Sequence, residues 1–379
     1  MLCRTVLTSD ETRRIRALVQ GPVDWTSLAR LAELHEVTGL VRHNLATLDL
    51  VEAVPEKPRQ RITDGARQIS FDMMVQARQA VLVLNRLEEA GIHPVYLKGI
   101  ALADMVYGDF TLRPSIDIDL LVEKRDLEDA CRVMQSLGFL DPEKDFVDFH
   151  LANGYALNLH GRLLTEQPLA VEVHWALSPR GLIPLDYALL RRRSEIFAIE
   201  GTPATRFSPE DMLLHQAMHL RKHRFVGLRW LCDAAELIRR FDTLLDWEYI
   251  VASSQSAGIS TLLYAALSLS SDLLDSPVPP GVLDATCPSL LRRRVLSTIL
   301  PEDMLAVPEM DDKEGWTRLA MIEVLLLDRP AAMWQEFRFR MFPPPEGSLG
   351  IGTREMSRSQ RLGFQARRLA RRSVTMLSK

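Results

Sequence analysis

The chain has 379 residues, a formal net charge of −4, 47% hydrophobic residues and 25% charged residues. These values are ordinary for a globular protein and exclude a uniformly basic nucleic-acid-binding protein. The four cysteines are scattered without CxxC spacing, which argues against a zinc site or a disulfide framework and indicates reduced thiols.

No segment of the sequence predicts contact with a membrane. The N-terminal residues lack the long apolar core of a signal peptide. The most apolar later stretch, residues 261–269, is too short to span a bilayer. We therefore expect a cytoplasmic protein without a membrane partner.

The first 90 residues have the spacing of helices. Ser9 and Asp10 are favourable helix-capping residues, apolar residues recur at helical spacing, and residues 63–90 are expected to form one long helix. Gly91 ends that helix, and a short apolar strand at 93–97 leads into Lys98 and Gly99. The sequence thus predicts a helical N-terminal region over residues 1–90.

Strands and helices are then expected to alternate over residues 91–205. One or two helical turns at 100–105 and a loop at 107–115 precede a strand at 116–122 and a helix at 125–137. Two further strands are predicted at 154–159 and 169–175. This order is typical of a mixed sheet with helices packed on it.

Helical periodicity returns beyond Pro203 and Pro209, which mark a predicted domain boundary, and continues to about residue 340. The predicted domains are therefore 1–90, 91–205 and an all-α region at 206–340, followed by a tail at 341–379. Residues 353–379 of this tail carry eight lysines and arginines and one glutamate.

The strand at 116–122 contains an acidic pair. Residues two apart in a strand point to the same face, so Asp117 and Asp119 should project together, with Ile116, Ile118 and Leu120 on a buried opposite face. Adjacent carboxylates repel each other unless a cation lies between them. The pair therefore predicts Mg²⁺ and a nucleoside triphosphate beside the Gly99 turn. It also predicts that replacing either aspartate by asparagine leaves the melting temperature unchanged or raises it.

The run Lys98-Gly99, Ala103-Asp104, Tyr107-Gly108, Arg113, Asp117 and Asp119 resembles the nucleotidyltransferase superfamily of DNA polymerase beta-like folds. It is most similar to the branch with aminoglycoside adenylyltransferases and a large bacterial nucleotidyltransferase family. The resemblance implies an α+β fold in which a small mixed-sheet nucleotidyltransferase domain is flanked by helical N-terminal and all-α C-terminal regions. The third acidic residue of the superfamily would be Glu172, on the strand at 169–175.

The resemblance also implies roles for individual residues. Asp117, Asp119 and Glu172 would be the catalytic residues and would hold two Mg²⁺ ions. Lys98, Gly99 and Arg113 would bind the nucleoside triphosphate (NTP), with Lys98 standing where the superfamily usually has a small residue. Both cations could neutralise phosphate oxygens, and Gly99 would let backbone N–H groups approach them.

Histidines are the candidates for an acceptor site. His215, His219 and His223 recur every four residues on one predicted helix, where the outer two lie about 12 Å apart and cannot share one ion. They line a cleft for the acceptor or simply pack. His174 neighbours Glu172 and either contacts the acceptor, orients a metal ligand or is a half-buried sheet histidine. The candidate acceptor residues are His174, His219 and His223.

The sequence favours a Mg²⁺-dependent nucleotidyltransferase that moves a nucleoside monophosphate (NMP) from an NTP to a hydroxyl of a small molecule or peptide-derived product. A toxin-like transferase acting on tRNA is an alternative, suggested by the basic tail and by Arg191, Arg192 and Arg193. Nucleic acid is the less favoured partner because no RNA-binding motif is present. A catalytically silent protein that binds nucleotide, or serves as an interaction module, is the third hypothesis.

Overall fold

The computed structural model describes residues 1–139, 151, 153–166, 168–184, 186–299 and 321–341, so the basic tail lies outside the described residues. In these ranges the helices are α1 (Ser9–Val19), α2 (Trp25–Leu34), α3 (Thr38–Thr47), α4 (Glu56–Glu89), α5 (Ile100–Tyr107), α6 (Leu127–Ser136), α7 (Tyr187–Arg193), α8 (Pro209–Lys222), α9 (Leu228–Phe241), α10 (Trp247–Ala257), α11 (Ser260–Leu274), α12 (Pro280–Thr286), α13 (Leu290–Ile299) and α14 (Pro330–Met341). The strands are β1 (Val95–Tyr96), β2 (Asp117–Leu121), β3 (Ala156–Gly161), β4 (Leu169–His174), β5 (Glu195–Ile199) and β6 (Thr202–Arg206).

The N-terminal region is helical, as its apolar spacing predicts. Helix α1 begins with a capping box, in which the Thr8 side chain accepts from the backbone of Glu11 and Glu11 bonds back to Thr8. Helix α4 begins at Glu56, seven residues before the predicted start at residue 63. Pro58 fits there because the first turn of a helix needs no partner for the missing N–H.

The six strands form one mixed sheet in the order β3-β4-β2-β1-β6-β5. Strand β2 is antiparallel to β1 and parallel to β4, and β1 is parallel to β6. The predicted α+β class is therefore confirmed. Parallel pairing of β2 with β4 brings strands that are distant in the sequence side by side.

Strands β5 and β6 form a hairpin that was not predicted from the sequence. Pro203, which the sequence predicts to lie at a domain boundary, lies inside β6, opposite Ala198. The two-residue turn between the strands has positive φ at Glu200 (48°) and Gly201 (80°), as two-residue hairpin turns require. Ile196 is 79% exposed, so β5 has only a weak apolar pattern.

The two faces of the sheet differ in polarity. Tyr96, Ile118, Leu120, Val171 and Val173 are all fully buried, in an apolar cluster that includes side chains of α4 and α6. The opposite face carries the acidic residues of β2 and β4. The predicted alternation is correct within the strand, but Ile116 lies outside β2 and is 83% exposed, so its predicted burial is wrong.

The C-terminal helices surround α8 and α9. A second apolar cluster runs from Trp25 to Ala332 and joins side chains of α2 and α3 with those of β1, α5 and the helices from α8 onward. The helical regions before and after the sheet thus share one core. No helix within the described residues combines the length and the apolar content needed to cross a bilayer.

Candidate active site

The register between β2 and β4 brings the predicted carboxylates together. Asp119 lies directly opposite Glu172 in the parallel pair, and Asp117 lies opposite Ala170. Because neighbouring strands are about 4.8 Å apart, paired residues on the same face have side chains in reach of each other. Asp119 is fully buried, whereas Asp117 and Glu172 are only partly buried.

Lys98 lies between the two aspartates. Its Nζ is 2.9 Å from Asp117 Oδ1 and 2.5 Å from Asp119 Oδ2. Because β1 is antiparallel to β2, the chain that leaves β1 runs toward the start of β2, where Leu97 N–H donates to the Asp119 carbonyl and Lys98 follows. The cation between the aspartates is thus a buried ammonium group of the protein itself, a contact that differs from the predicted contact with phosphate.

His174 lies between the carboxylates of Asp119 and Glu172. Its Nε2 is 3.1 Å from Asp119 Oδ1 and 3.2 Å from Glu172 Oε2. The two oxygens of Asp119 are therefore divided between different partners, with Oδ1 toward His174 and Oδ2 toward Lys98. Lys222 of α8 approaches from the opposite side, 3.6 Å from Glu172 Oε2.

The charges of this cluster depend on one another. Burial would raise the pKa of Asp119, but Lys98 and His174 hold it well below the usual range. Burial opposes the charge of His174 too, yet hydrogen bonds to Asp119 and Glu172 raise its pKa. For Asp117, burial and the charge of Asp119 raise the pKa against the pull of Lys98. The cluster therefore favours an ionised Asp119 and disfavours the charge of Asp117.

A backbone turn without a side chain lies next to the aspartates. Gly99 has φ +60° and ψ −123°, a conformation that residues with a Cβ rarely adopt. A Cβ there would come within 3.1 Å of Ser115 Oγ and 3.6 Å of the Asp117 carbonyl oxygen. The turn precedes α5, whose first N–H groups have no partner within the helix, and the contact of Gly99 with phosphate stays a prediction.

Arg113 forms a buried ion pair instead of pointing free into the site. Its Nε and Nη2 lie 2.8–3.0 Å from the carboxylate of Asp233 in α9, to which Tyr107 also donates a hydrogen bond of 2.8 Å. Arg113 is 3% exposed and Asp233 is fully buried. Arg113 thus has a buried carboxylate partner, and its contact with NTP phosphates stays a prediction.

The histidines of α8 pack ring against ring, and Trp230 packs edge-on against His219 and face-to-face against His223. The ring centroids of His219 and Trp230 are 4.2 Å apart, and those of His223 and Trp230 are 4.4 Å apart. Burial lowers the pKa of all three histidines, to about 3 for His215, about 4 for His223 and well below the ordinary value for His219. His215 Nδ1 and His219 Nε2 have no hydrogen-bond partner among the described residues.

We expect these neutral histidines to make the fold sensitive to acid. Their folded pKa lies below the unfolded value of 6.5, so their contribution to stability is present above pH 6.5 and is lost as the pH falls toward 4. The check is the free energy of unfolding in urea at pH values from 7.5 to 4.5. His219→Phe should make the pH slope shallower by up to about 1.4 kcal/mol per pH unit, the slope that one proton contributes. The exposed His93→Gln variant is the control, and equal slopes for both variants would contradict the prediction.

Two cavities open beside the carboxylates. The smaller, of about 330 Å³, is lined by residues that include Ser115, Asp117, Glu172, Arg229 and Trp230. The larger, of about 440 Å³, is lined by residues that include Tyr155, His174, Arg180, Arg221 and Arg340. Lys98, His219 and Lys222 line both cavities. The two cavities therefore meet at the carboxylate cluster.

Arginines dominate the wall of the larger cavity. Arg180 and Arg340 bond to Glu336, and Arg340 also pairs with Glu323. Arg221 lies farther from Glu336, at 3.8 Å, and its Nη2 has no hydrogen-bond partner among the described residues. Burial and the other arginines lower the pKa of Arg340 to about 10. The wall thus carries more positive than negative charge in a partly dry environment.

The donors of the cluster fit one divalent cation. Ligand atoms of Asp119, Glu172 and His174 all lie within 4.8 Å of one another. Oxygen and imidazole donors at such separations suit an ion that bonds each of them at about 2.0–2.3 Å. The space between Asp117 and Asp119, in contrast, holds Lys98 Nζ.

Several residues of the site were missed by sequence reasoning. Lys222 and Tyr155 lie together on the side of Glu172, with Nζ 5.7 Å from the ring centroid. Arg180, Arg221 and Arg340 come from three separate segments. In the sequence Lys222 lies between His219 and His223, and only its helical spacing of three from His219 could have indicated the same face.

The sequence matches one family model, described as an uncharacterised nucleotidyltransferase, over residues 21–275. No curated protein matches the chain. Among solved structures, an antigenic nucleotidyltransferase-like protein from Paracoccidioides brasiliensis is 16% identical, with a TM-score of 0.31 over 57% of this chain and 91% of that chain. A TM-score of this size does not establish a common fold, and nothing about function follows from it.

Proposed function

This chain belongs to the family of uncharacterised nucleotidyltransferases, and from that premise we propose that it transfers an NMP from an NTP to a hydroxyl acceptor and releases pyrophosphate. The observation that carries the proposal is the convergence of Asp117, Asp119 and Glu172 on one face of the sheet, next to the Gly99 turn. Such a group of carboxylates can hold a cation against a triphosphate.

The triphosphate lies in the smaller cavity, against Ser115 and Asp117. Gly99 adjoins both residues, and the missing side chain leaves room for a close approach of phosphate to the backbone. Arg229 lines the same cavity and offers a positive charge, although it also pairs with Glu36 at 3.1 Å, while Trp230 offers an apolar ring. Lys98 is held by the aspartates and Arg113 by Asp233, so their predicted role in binding NTP phosphates is replaced here by holding the site in shape.

Asp119 and Glu172, with His174, are the residues that would hold a divalent cation. When bound, such a cation stabilises the charge that develops on the phosphate and makes an acceptor hydroxyl easier to deprotonate. The identity of the ion as Mg²⁺ and the number of two ions are predictions that come from the resemblance alone.

In the transfer, the acceptor oxygen forms a bond to the α-phosphorus while the bond from that phosphorus to the leaving pyrophosphate oxygen breaks. The hydroxyl proton passes to a carboxylate oxygen of Glu172, which lines the smaller cavity where the two cavities meet. Burial raises the pKa of Glu172, but the hydrogen bond with His174 and, more weakly, the charge of Lys222 at 3.6 Å lower it and keep the carboxylate charged before the transfer. His174 holds Glu172 and Asp119 at a fixed separation.

The acceptor occupies the larger cavity. Its hydroxyl enters past His174 and His219, two of the three predicted acceptor residues, while the third, His223, lines the smaller cavity. The excess of arginine over glutamate in the wall favours an acceptor with a negative group, such as a carboxylate on a small molecule or peptide-derived product.

The tRNA alternative has less support among the described residues. Arg193, one of three arginines considered for RNA contact, pairs with Glu210 and Asp211 and stacks on Tyr249. The basic residues of the tail lie outside the described residues.

Labelled nucleotide tests the proposal directly. The full-length protein is incubated with each α-³²P NTP, a divalent cation, and separate small-molecule, peptide and RNA fractions of a cell extract. We expect label in a product of the small-molecule or peptide fraction, lost with Asp117→Asn and kept with the surface control Asp129→Asn. Label in RNA would instead favour the tRNA alternative. Absence of label, together with no cation-dependent NTP binding in calorimetry, would favour a catalytically silent protein.

A further inference from the structure

The position between the two strand aspartates already holds a cation. Lys98 Nζ is 2.9 Å from Asp117 Oδ1 and 2.5 Å from Asp119 Oδ2, distances of strong charge-assisted hydrogen bonds. The side chain of Lys98 is 8% exposed, so the ammonium cannot turn out to solvent without a change in the surrounding structure.

A second position for a cation exists on the other side of Asp119. Oδ1 of Asp119, Oε2 of Glu172 and Nε2 of His174 surround this position, with His174 3.1 Å and 3.2 Å from the two oxygens. Each oxygen of Asp119 therefore faces a different position, one filled by the Lys98 ammonium group and the other bordered by the His174 imidazole.

We infer that Lys98 permanently takes the place of one metal ion and that the site binds a single divalent cation, held by Asp119, Glu172 and His174. This inference rests on the proposed function. A second ion between Asp117 and Asp119 would have to approach each oxygen to about 2 Å and would displace an ammonium group that both carboxylates bind.

The charge of the site supports a single ion. Lys98 and Lys222 already offset two of the three carboxylate charges, since Lys222 Nζ lies 3.6 Å from Glu172. One divalent ion then leaves the site positive toward a triphosphate. The imidazole nitrogen of His174 favours an ion that accepts nitrogen as well as oxygen, such as Mn²⁺, over Mg²⁺, which prefers oxygen.

Counting bound Mn²⁺ tests the inference without reference to activity. The metal-free, full-length protein is titrated with Mn²⁺ in the presence of one equivalent of an NTP analogue with a methylene bridge between the α- and β-phosphorus. Free Mn²⁺ is measured by electron paramagnetic resonance. We expect one equivalent bound by the wild type and by Lys98→Arg, which keeps the charge. Lys98→Ala should bind two equivalents, because Asp117 Oδ1 and Asp119 Oδ2 then lose the ammonium group between them.

Two equivalents on the wild type, or none, would overturn the inference, and so would a single equivalent on a folded Lys98→Ala variant. If that variant does not fold, the wild-type count alone decides. Different results would refute the inference and the proposed function. Nucleotide transfer with two ions bound would refute only the single-ion site, whereas one bound ion without transfer to any acceptor would refute only the proposed function.

Discussion

Replacing Asp119 by asparagine is expected to abolish nucleotide transfer and to destabilise the fold at the same time. Asp119 is fully buried and its two oxygens pair with Lys98 and His174, so the substitution leaves a buried ammonium group and a buried imidazole each with one partner fewer. Breaking a buried pair by removing one partner costs about 3–5 kcal/mol of stability. Loss of charge stabilisation in the transition state should reduce the rate by about 100-fold to 1,000-fold or more.

Asp117→Asn separates the two effects. Asp117 is partly exposed, and burial and the charge of Asp119 raise its pKa, so the fold gains little from its charge. We therefore expect the same loss of transfer with a small change in stability. The measurements are the rate with labelled NTP and the free energy of unfolding in urea, with Asp129→Asn as the control. Wild-type transfer by either variant would show that these aspartates have no catalytic role.

This expectation differs from the one that follows from the sequence alone. Two carboxylates on one strand face repel each other, and relief of that repulsion predicts an unchanged or higher melting temperature for either asparagine variant. In the structure the expected change in stability for Asp119→Asn becomes a loss, because Asp119 is in contact with Lys98, in the turn after β1, and with His174 of β4. Neither contact is visible in a sequence, since both depend on the pairing of separate strands.

Local patterns predicted the parts of the fold that depend on local physics. Alternation along β2 correctly placed Asp117 and Asp119 on the face opposite Ile118 and Leu120. The same rule predicts that Ile116 lies on the buried face. This prediction is wrong because β2 begins one residue later, so Ile116 precedes the first residue pair between β2 and β4. Residues at the end of a strand escape the alternation that holds inside it.

The register between strands set the limits of the sequence-based prediction. Glu172 was expected near the aspartates from the resemblance, and its pairing with Asp119 results from the parallel register of β2 with β4. The hairpin β5–β6 was missed because its turn lacks the usual Asn-Gly signal and its first strand exposes an apolar residue, Ile196. An edge strand with a single neighbour, as with β5 beside β6, leaves little trace in composition.

The prediction that Arg113 contacts phosphate also rests on local sequence alone. A loop arginine beside an acidic pair is a reasonable ligand for phosphate, and nothing local distinguishes it from an arginine with a partner elsewhere. That partner, Asp233, lies 120 residues later in α9. Contacts of this range come from packing of α9 against α5 and the following loop, which the sequence does not specify.

Replacing Arg113 by alanine is expected to lower the free energy of unfolding by about 3–5 kcal/mol, because it leaves the fully buried Asp233 without its bidentate partner. Arg113→Lys should recover only part of this, since a lysine cannot form the two parallel hydrogen bonds of the guanidinium group. The paired replacement Arg113→Met with Asp233→Leu should be less destabilising than Arg113→Ala, because no buried charge then lacks a partner.

Urea denaturation of these variants distinguishes an ion pair that holds the fold from a ligand of phosphate. An arginine that binds the triphosphate would leave the free energy of unfolding near the wild-type value in Arg113→Ala and would raise the KM for NTP, with or without Asp233. An arginine that holds α9 against the β2 side of the site should instead lower the free energy of unfolding in Arg113→Ala and leave the KM for NTP near the wild-type value. At a temperature where Arg113→Lys is folded, its transfer rate should return toward the wild-type rate, because the side chain at position 113 does not contact the phosphates.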